Sequence, residues 1–275
     1  MSTAPTTIDA LSGRDYSMRC PTRSEILLLL VLAATGFALA DEQRREPGAF
    51  SSAKAGAALP VGWLPLSTKG SATPTRYTLV DDRGTTVLRA EAKAAASALS
   101  HPVNVDPAAT PWLRWRWKIS TLIEQADLRT REGDDFPARL YVMFDYPLEK
   151  LSFAERSKLR LARALFDPKL PAATLCYVWD GKAAKGTIAP SAYTNRVRLI
   201  VVESGGARVD RWVDLERNIV DDFRSAFGEN PPAVTAIAVA VDTDNTGAFA
   251  TTYFGDISFN KQSVTKQVPG TSPAP

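Results

Sequence analysis

From Trp63 onward the chain is built of short runs in which apolar and polar residues alternate, the period-two signature of strands with two unlike faces. The clearest is Trp112-Leu-Arg-Trp-Arg-Trp-Lys-Ile119, where Leu113, Trp115, Trp117 and Ile119 face one way and Arg114, Arg116 and Lys118 the other. Ala138 to Tyr146 repeats the scheme, with Leu140, Val142 and Phe144 opposite Arg139, Tyr141 and Asp145. Arg76 to Val80 and Thr85 to Ala90 flank Asp81-Asp-Arg-Gly84, which reads as a hairpin turn. Ala94 to Val105 is a weaker strand, and further strands are expected at Thr174 to Asp180, Arg196 to Glu203, Val234 to Asp242 and Ala248 to Phe259.

Two segments switch to helical spacing. Ser152-Phe-Ala-Glu155 is a capping-box signature, followed by an amphipathic run that Pro168 ends. Trp212, Leu215, Ile219, Phe223 and Phe227 recur at helical intervals before Gly228, which predicts a second helix over 212–227. Strands without a β-α-β rhythm predict a mainly β protein: an antiparallel, jelly-roll-like β-sandwich over 60–260 with two inserted helices. Residues 41–59, polar and rich in Ala and Gly, read as a linker, and 261–275, rich in Pro, Ser and Thr, as a disordered tail.

The run Ile26 to Ala40 stands apart from this pattern. Arg14, Arg19 and Arg23 precede it, and it closes on Ala38-Leu39-Ala40, a small-residue cleavage signature before Asp41. It is shorter than the about 20 residues of an ordinary membrane span. Residues 1–40 therefore read as a secretory signal peptide, with Met18 an alternative start, and the expected location is periplasmic or secreted, with no transmembrane span after cleavage. Retention of the run as an anchor is the alternative.

Charge and rare residues narrow the chemistry. The net charge of +3 is spread along the chain, unlike the clustered Lys/Arg of a nucleic-acid binder, so no nucleic-acid partner is expected. The cysteines are Cys20, inside the leader, and Cys176, which leaves a mature chain without an internal disulfide. With His101 the single histidine, hydrolases that need a histidine base and zinc sites built from His and Cys are not credible. Chemistry would fall to carboxylates, Tyr, Lys and Arg, or to a hard cation held by oxygen.

Three groups of residues meet that description. Asp242-Thr-Asp-Asn-Thr-Gly247 resembles the first half of a calcium loop, with Asp242, Asp244 and Asn245 as metal ligands. Tyr253 stands where an EF-hand has its glutamate, so the alternative is a turn held by Asx side chains. If the strand at 138 pairs antiparallel with 234–242, Asp134 and Asp135 meet Asp242 and Asp244 at one rim, as a cation site, an acid–base pair or a solvated loop. Arg114, Arg116, Lys118, Arg139, Tyr141 and Arg198 share the non-core parity of their strands. If those strands lie in one sheet, they form either a basic face for an anionic ligand or an ordinary cross-paired surface. Trp115 and Trp117 read as core, while Trp179, Tyr177 and Tyr193 are the candidates for stacking on a sugar.

The blocks TRYTLVDDRGTTVLRAEA, PWLRWRWKI, REGDDFPARLYVMFDYP, LSFAERSKLRLARALF, LCYVWD, RVRLIVVESG, ERNIVDDFRSAFGENPP and VDTDNTGAFATTYFGDISF, in this order, resemble the bacterial family catalogued as domain of unknown function 3047. The likeness runs from about Leu59 to Phe259 and implies an exported or envelope protein, with no catalytic residues to carry over. The Trp-rich early strand and the closing GDISF strand are also similar to jelly-roll carbohydrate-binding and galactose-binding-like domains. The leading expectation is a non-catalytic module for a glycan or another anionic envelope ligand. Its rivals are a glycan-active enzyme using Asp134 or Asp135 with Asp242 or Asp244, and a structural envelope protein that binds partners through its helices.

Overall fold

The computed structural model describes residues 44–66, 73–165 and 171–264. The leader read at 1–40 and the tail beyond 264 lie outside the described residues. Gln43–Pro275 forms a compact unit by its own contacts.

Among the described residues two seven-stranded sheets pack face to face as a β-sandwich, with two α-helices added, as the sequence pattern predicts. The first sheet contains β1 (Arg44–Gly48), β3 (Arg76–Asp82), β4 (Thr85–Lys93), β6 (Trp112–Ile119), β11 (Val213–Asn218), β13 (Phe249–Phe254) and β14 (Ile257–Asn260). The second runs in the order β2 (Leu64–Leu66), β5 (Ala96–Val105), β12 (Val234–Asp242), β7 (Phe136–Phe144), β8 (Ala173–Asp180), β10 (Val197–Ser204) and β9 (Ile188–Pro190). The β8–β10 pair is parallel, against an otherwise antiparallel second sheet. Helix α1 spans Phe153–Leu165 and α2 spans Ile219–Phe227.

The core is where the inward parities of the two sheets meet. Leu113, Trp115, Trp117 and Ile119 of β6 are buried while Arg114, Arg116 and Lys118 stay half-buried outside, so the alternation is obeyed residue by residue. Across the sandwich Trp115 meets Tyr177 with ring centroids 5.1 Å apart, and Trp117 meets Trp179 at 6.4 Å. Phe144 and Phe223 close one end at 4.6 Å, which docks α2 on the core.

Four expectations need correction. Arg44–Gly48, inside the stretch read as a linker, is a strand paired with β14, and Phe50 just after it is fully buried. The helix expected from 212 begins only at Ile219, because Val213–Asn218 pairs with β6 along its whole length. The open edge of β6 offers ladder hydrogen bonds that outweigh a weak helical preference, and Asn218 then caps α2 by accepting from the Val220 and Asp221 amides. The closing strand breaks at Gly255-Asp256 into β13 and β14, both of which pair with the same side of β6. A Cβ on Gly255 would lie 2.5 Å from the Arg116 side chain, so a larger residue at this break would have to displace Arg116. Finally, the basic positions do not share a sheet: Arg114, Arg116 and Lys118 lie on the first, Arg139, Tyr141 and Arg198 on the second.

Candidate functional site

The antiparallel pairing of β7 with β12 is present, and its register sets Asp242 opposite Phe136. Asp134, Asp135, Asp242 and Asp244 therefore gather at one rim of the second sheet, as the pattern predicts. Their roles there differ sharply. Asp135 is fully buried and accepts from the backbone and side-chain amides of Asn245, both at 3.3 Å, and from the backbone amide (2.7 Å) and hydroxyl (2.6 Å) of Thr246. It is the clasp that ties the 242–247 turn to the start of β7.

Arg139, also buried, takes the centre of the rim. Its Nε donates to Asp242 Oδ1 at 2.9 Å, its Nη2 lies 2.7 Å from Asp242 Oδ2, and the same nitrogen lies 3.3 Å from Asp134 Oδ1. The guanidinium also donates to the Asp134 carbonyl and covers the Phe136 ring at 4.4 Å. Burial raises Asp242 from the ordinary 3.8 to about 6, more than Arg139 pulls it down, and burial raises Asp134 in the same direction. A buried cation facing two carboxylates is a paired cluster in which each member needs the others.

Asp242 and Asn245 of the calcium-like turn have partners within the protein. Asp242 faces Arg139, Asn245 uses its amide to donate to Asp135, and Asp244 is exposed. The Arg139 guanidinium supplies positive charge to Asp242 and Asp134. Among the described residues no group of three or more His, Cys, Asp or Glu is arranged to hold a metal ion.

Next to the rim, an open groove of about 790 Å³ lies over the outer face of the second sheet. Its floor is Ala96 and Ala98 of β5, Ala240 and Asp242 of β12, Tyr141 and Met143 of β7, and Thr174 of β8. One wall is α1, through Glu155, Lys158 and Leu159; another is the segment from Pro190 to Val197, with Tyr193 and Arg196. The expected capping box holds α1 at this place: Ser152 donates to Glu155 through its backbone N–H (3.0 Å) and its hydroxyl (2.8 Å). Tyr193 is 53 % exposed, with Arg131 over its ring at 5.2 Å. Arg196 donates to the Ala172 carbonyl and covers Tyr146 at 4.4 Å, which fixes that wall to the body of the protein.

Of the sequence-derived ligand residues, Tyr141 and Tyr193 line the groove; the others are placed elsewhere. Trp179 is fully buried in the core and donates to the Gly205 carbonyl at 3.0 Å, and Tyr177, equally buried, donates to Asp222 at 2.8 Å. Neither is a sugar platform. Arg198 has the inward parity of β10, shared with Ile200 and Val202, and covers Phe227 of α2 at 5.6 Å. Arg114 pairs with Glu216 and Arg116 lies over Trp212 at 4.6 Å, so both belong to the cross-paired outer face of the first sheet. The groove residues Ala96, Ala98, Ala240, Glu155, Lys158 and Arg196 were missed. The available signal was AVTAIAVAV in β12, which is apolar on both parities; such a strand is covered on both faces. Beside the groove, β7, β8 and β10 carry a small outer core of Leu128, Phe136, Cys176, Val178, Leu199 and Val201, where burial raises the Cys176 thiol to about 12.

No curated protein matches this chain. Among solved structures it is similar to the glycoside hydrolase domain of Spr0440, Endo-D, from Streptococcus pneumoniae R6, at 11 % identity and a TM-score of 0.32, covering 73 % of this chain and 22 % of that one. The chain thus spans about a fifth of that protein. It is also similar to a variant of CBM29-2, a family 29 carbohydrate binding module, at 12 % identity and a TM-score of 0.32, covering 84 % of this chain and 99 % of that one. Likenesses this distant carry no argument about the ligand. The sequence blocks do identify the chain: with residues 61–258 matched, it belongs to the family described as "Protein of unknown function (DUF3047)".

Proposed function

We propose that this chain is an exported, non-catalytic binding module that holds a glycan in the groove over its second sheet. The observation that carries the reading is the groove itself. At about 790 Å³ it is of ligand-binding size, with a floor of small apolar side chains, tyrosines on the floor and on the rim, and charged groups on its walls. A pyranose ring has the complementary surface, with C–H groups on its faces and hydroxyls around its edge. Tyr193 supports stacking because its ring is exposed, and Asp242, Glu155 and Asn195 supply acceptors for hydroxyls. Export is supported by the arginines, apolar run and small-residue site within residues 1–40.

Absence of catalysis is supported by the state of the rim carboxylates. Asp135 is consumed by the turn, and Asp134 and Asp242 share Arg139. The enzyme reading rests on Asp242, which reaches the groove, sits near 6 and shares the lining with Glu155. Calorimetric titration of a glycan panel separates the two. Binding that falls about tenfold in Tyr193→Ala, the worth of one stacked aromatic, supports the module. Binding unchanged by Tyr193→Ala removes the groove from the reading, and release of product that stops in Asp242→Asn replaces the module with an enzyme.

A further inference from the structure

We infer that the outer face of α1 docks on an anionic lipid surface. Phe153, Ser157, Leu161 and Ala164 follow one another at intervals of four, four and three, so they form one strip along the helix. All four are exposed, and the two large apolar side chains are so to an unusual degree: Phe153 is 83 % and Leu161 61 % accessible. Arg160 flanks the strip on one side and Lys158 on the other, both exposed. The opposite side of the helix is committed to the protein. Leu159 packs on the core, Arg156 donates to the Leu151 carbonyl at 3.2 Å, and Glu155 accepts from Ser152.

A single exposed apolar residue is ordinary, but two large ones on an uncharged strip between two cations are the arrangement of a helix that lies in a lipid interface. The ring of Phe153 and the Leu161 side chain would enter the acyl boundary, and the stems of Lys158 and Arg160 would carry their charges up to phosphate headgroups. Glu155, the acid of this helix, is on the far side and occupied, so nothing on the strip repels an anionic surface. A second copy of this chain fits less well, because symmetric docking would set the same cations against each other with no acid between them. Of this surface only Lys158 also lines the groove; Phe153, Ser157, Arg160, Leu161 and Ala164 lie outside it.

The test is flotation of the unit Gln43–Pro275 with vesicles, which leaves the apolar run 26–40 out of the measurement. The unit is expected to float with phosphatidylglycerol-containing vesicles and not with pure phosphatidylcholine. Lys158→Gln with Arg160→Gln should lower the partition roughly 30-fold, each cation counting for about fivefold. Phe153→Ser with Leu161→Ser should abolish flotation while the melting temperature stays within about 2 °C, since both positions are exposed. Three results would overturn the inference: a wild type that does not float, flotation that ignores lipid charge or the apolar substitutions, and a wild-type dimer in solution that the apolar substitutions dissolve.

Discussion

Replacing Arg139 with methionine tests the rim cluster most directly, because the side chain keeps its length and loses its charge. In the wild type, Asp242 has a folded value of about 6 against an ordinary 3.8. The native state therefore holds the extra proton between those values, so stability falls as pH rises from about 4 to 6 and is level above. The two units between them correspond to about 3 kcal/mol at neutral pH. Without Arg139, which pulls both Asp242 and Asp134 down, a half-buried and a buried carboxylate lose their partner. Removing one side of such a pair costs about 3–5 kcal/mol at pH 7.5, or roughly 10 °C of melting temperature for a domain of this size. Lowering the pH to 5 lets both carboxyls take up protons in the folded variant, at about 1.4 kcal/mol for each unit by which their affinity has risen. The difference between wild type and variant should then shrink to under about 2 kcal/mol. Urea unfolding followed by tryptophan emission at pH 7.5 and 5.0 measures both numbers, and carboxylates elsewhere cancel from the difference. A destabilisation that is equal at the two pH values, or below about 1 kcal/mol at pH 7.5, would show that Arg139 does not neutralise this rim.

Two further outcomes follow from other contacts. Asp222, buried between the Tyr177 hydroxyl (2.8 Å) and Arg217 Nε (2.9 Å), should cost about 3 kcal/mol on change to alanine, while Asp221→Ala on the exposed side of α2 stays within about 0.5 kcal/mol. Equal urea midpoints for the two variants would refute the buried network. Gly255→Ala should push Arg116 off Trp212 and cost about 1–3 kcal/mol, and most of that should return in the double variant Gly255→Ala with Arg116→Ala. Simple additivity of the two losses in a melting curve would mean that Gly255 is needed for its backbone alone.

What was legible in the sequence is what short-range patterning dictates. The period-two alternation of Trp112–Ile119 and Ala138–Phe144 was sufficient to assign strands, inward faces and the sandwich, because burial of one face is a local property of the side chains. The capping box of α1 was legible for the same reason, whereas the gathering of Asp134, Asp135 and Asp242 at one rim followed only on the condition that β7 pairs with β12. Which strands share a sheet is not a local property. Arg116 and Arg139 read alike along the chain, yet one lies over Trp212 on the first sheet and the other is buried between two carboxylates on the second. Trp179 and Tyr193 both looked like platforms; packing made the first a core residue and left the second open. Helical spacing over 212–218 lost to the open edge of β6, a hydrogen-bonding partner contributed by residues about a hundred positions away. The groove likewise exists only in three dimensions, because its floor and walls come from strands, a helix and a loop distant in the chain, and alternating alanines acquire meaning when something is built over them.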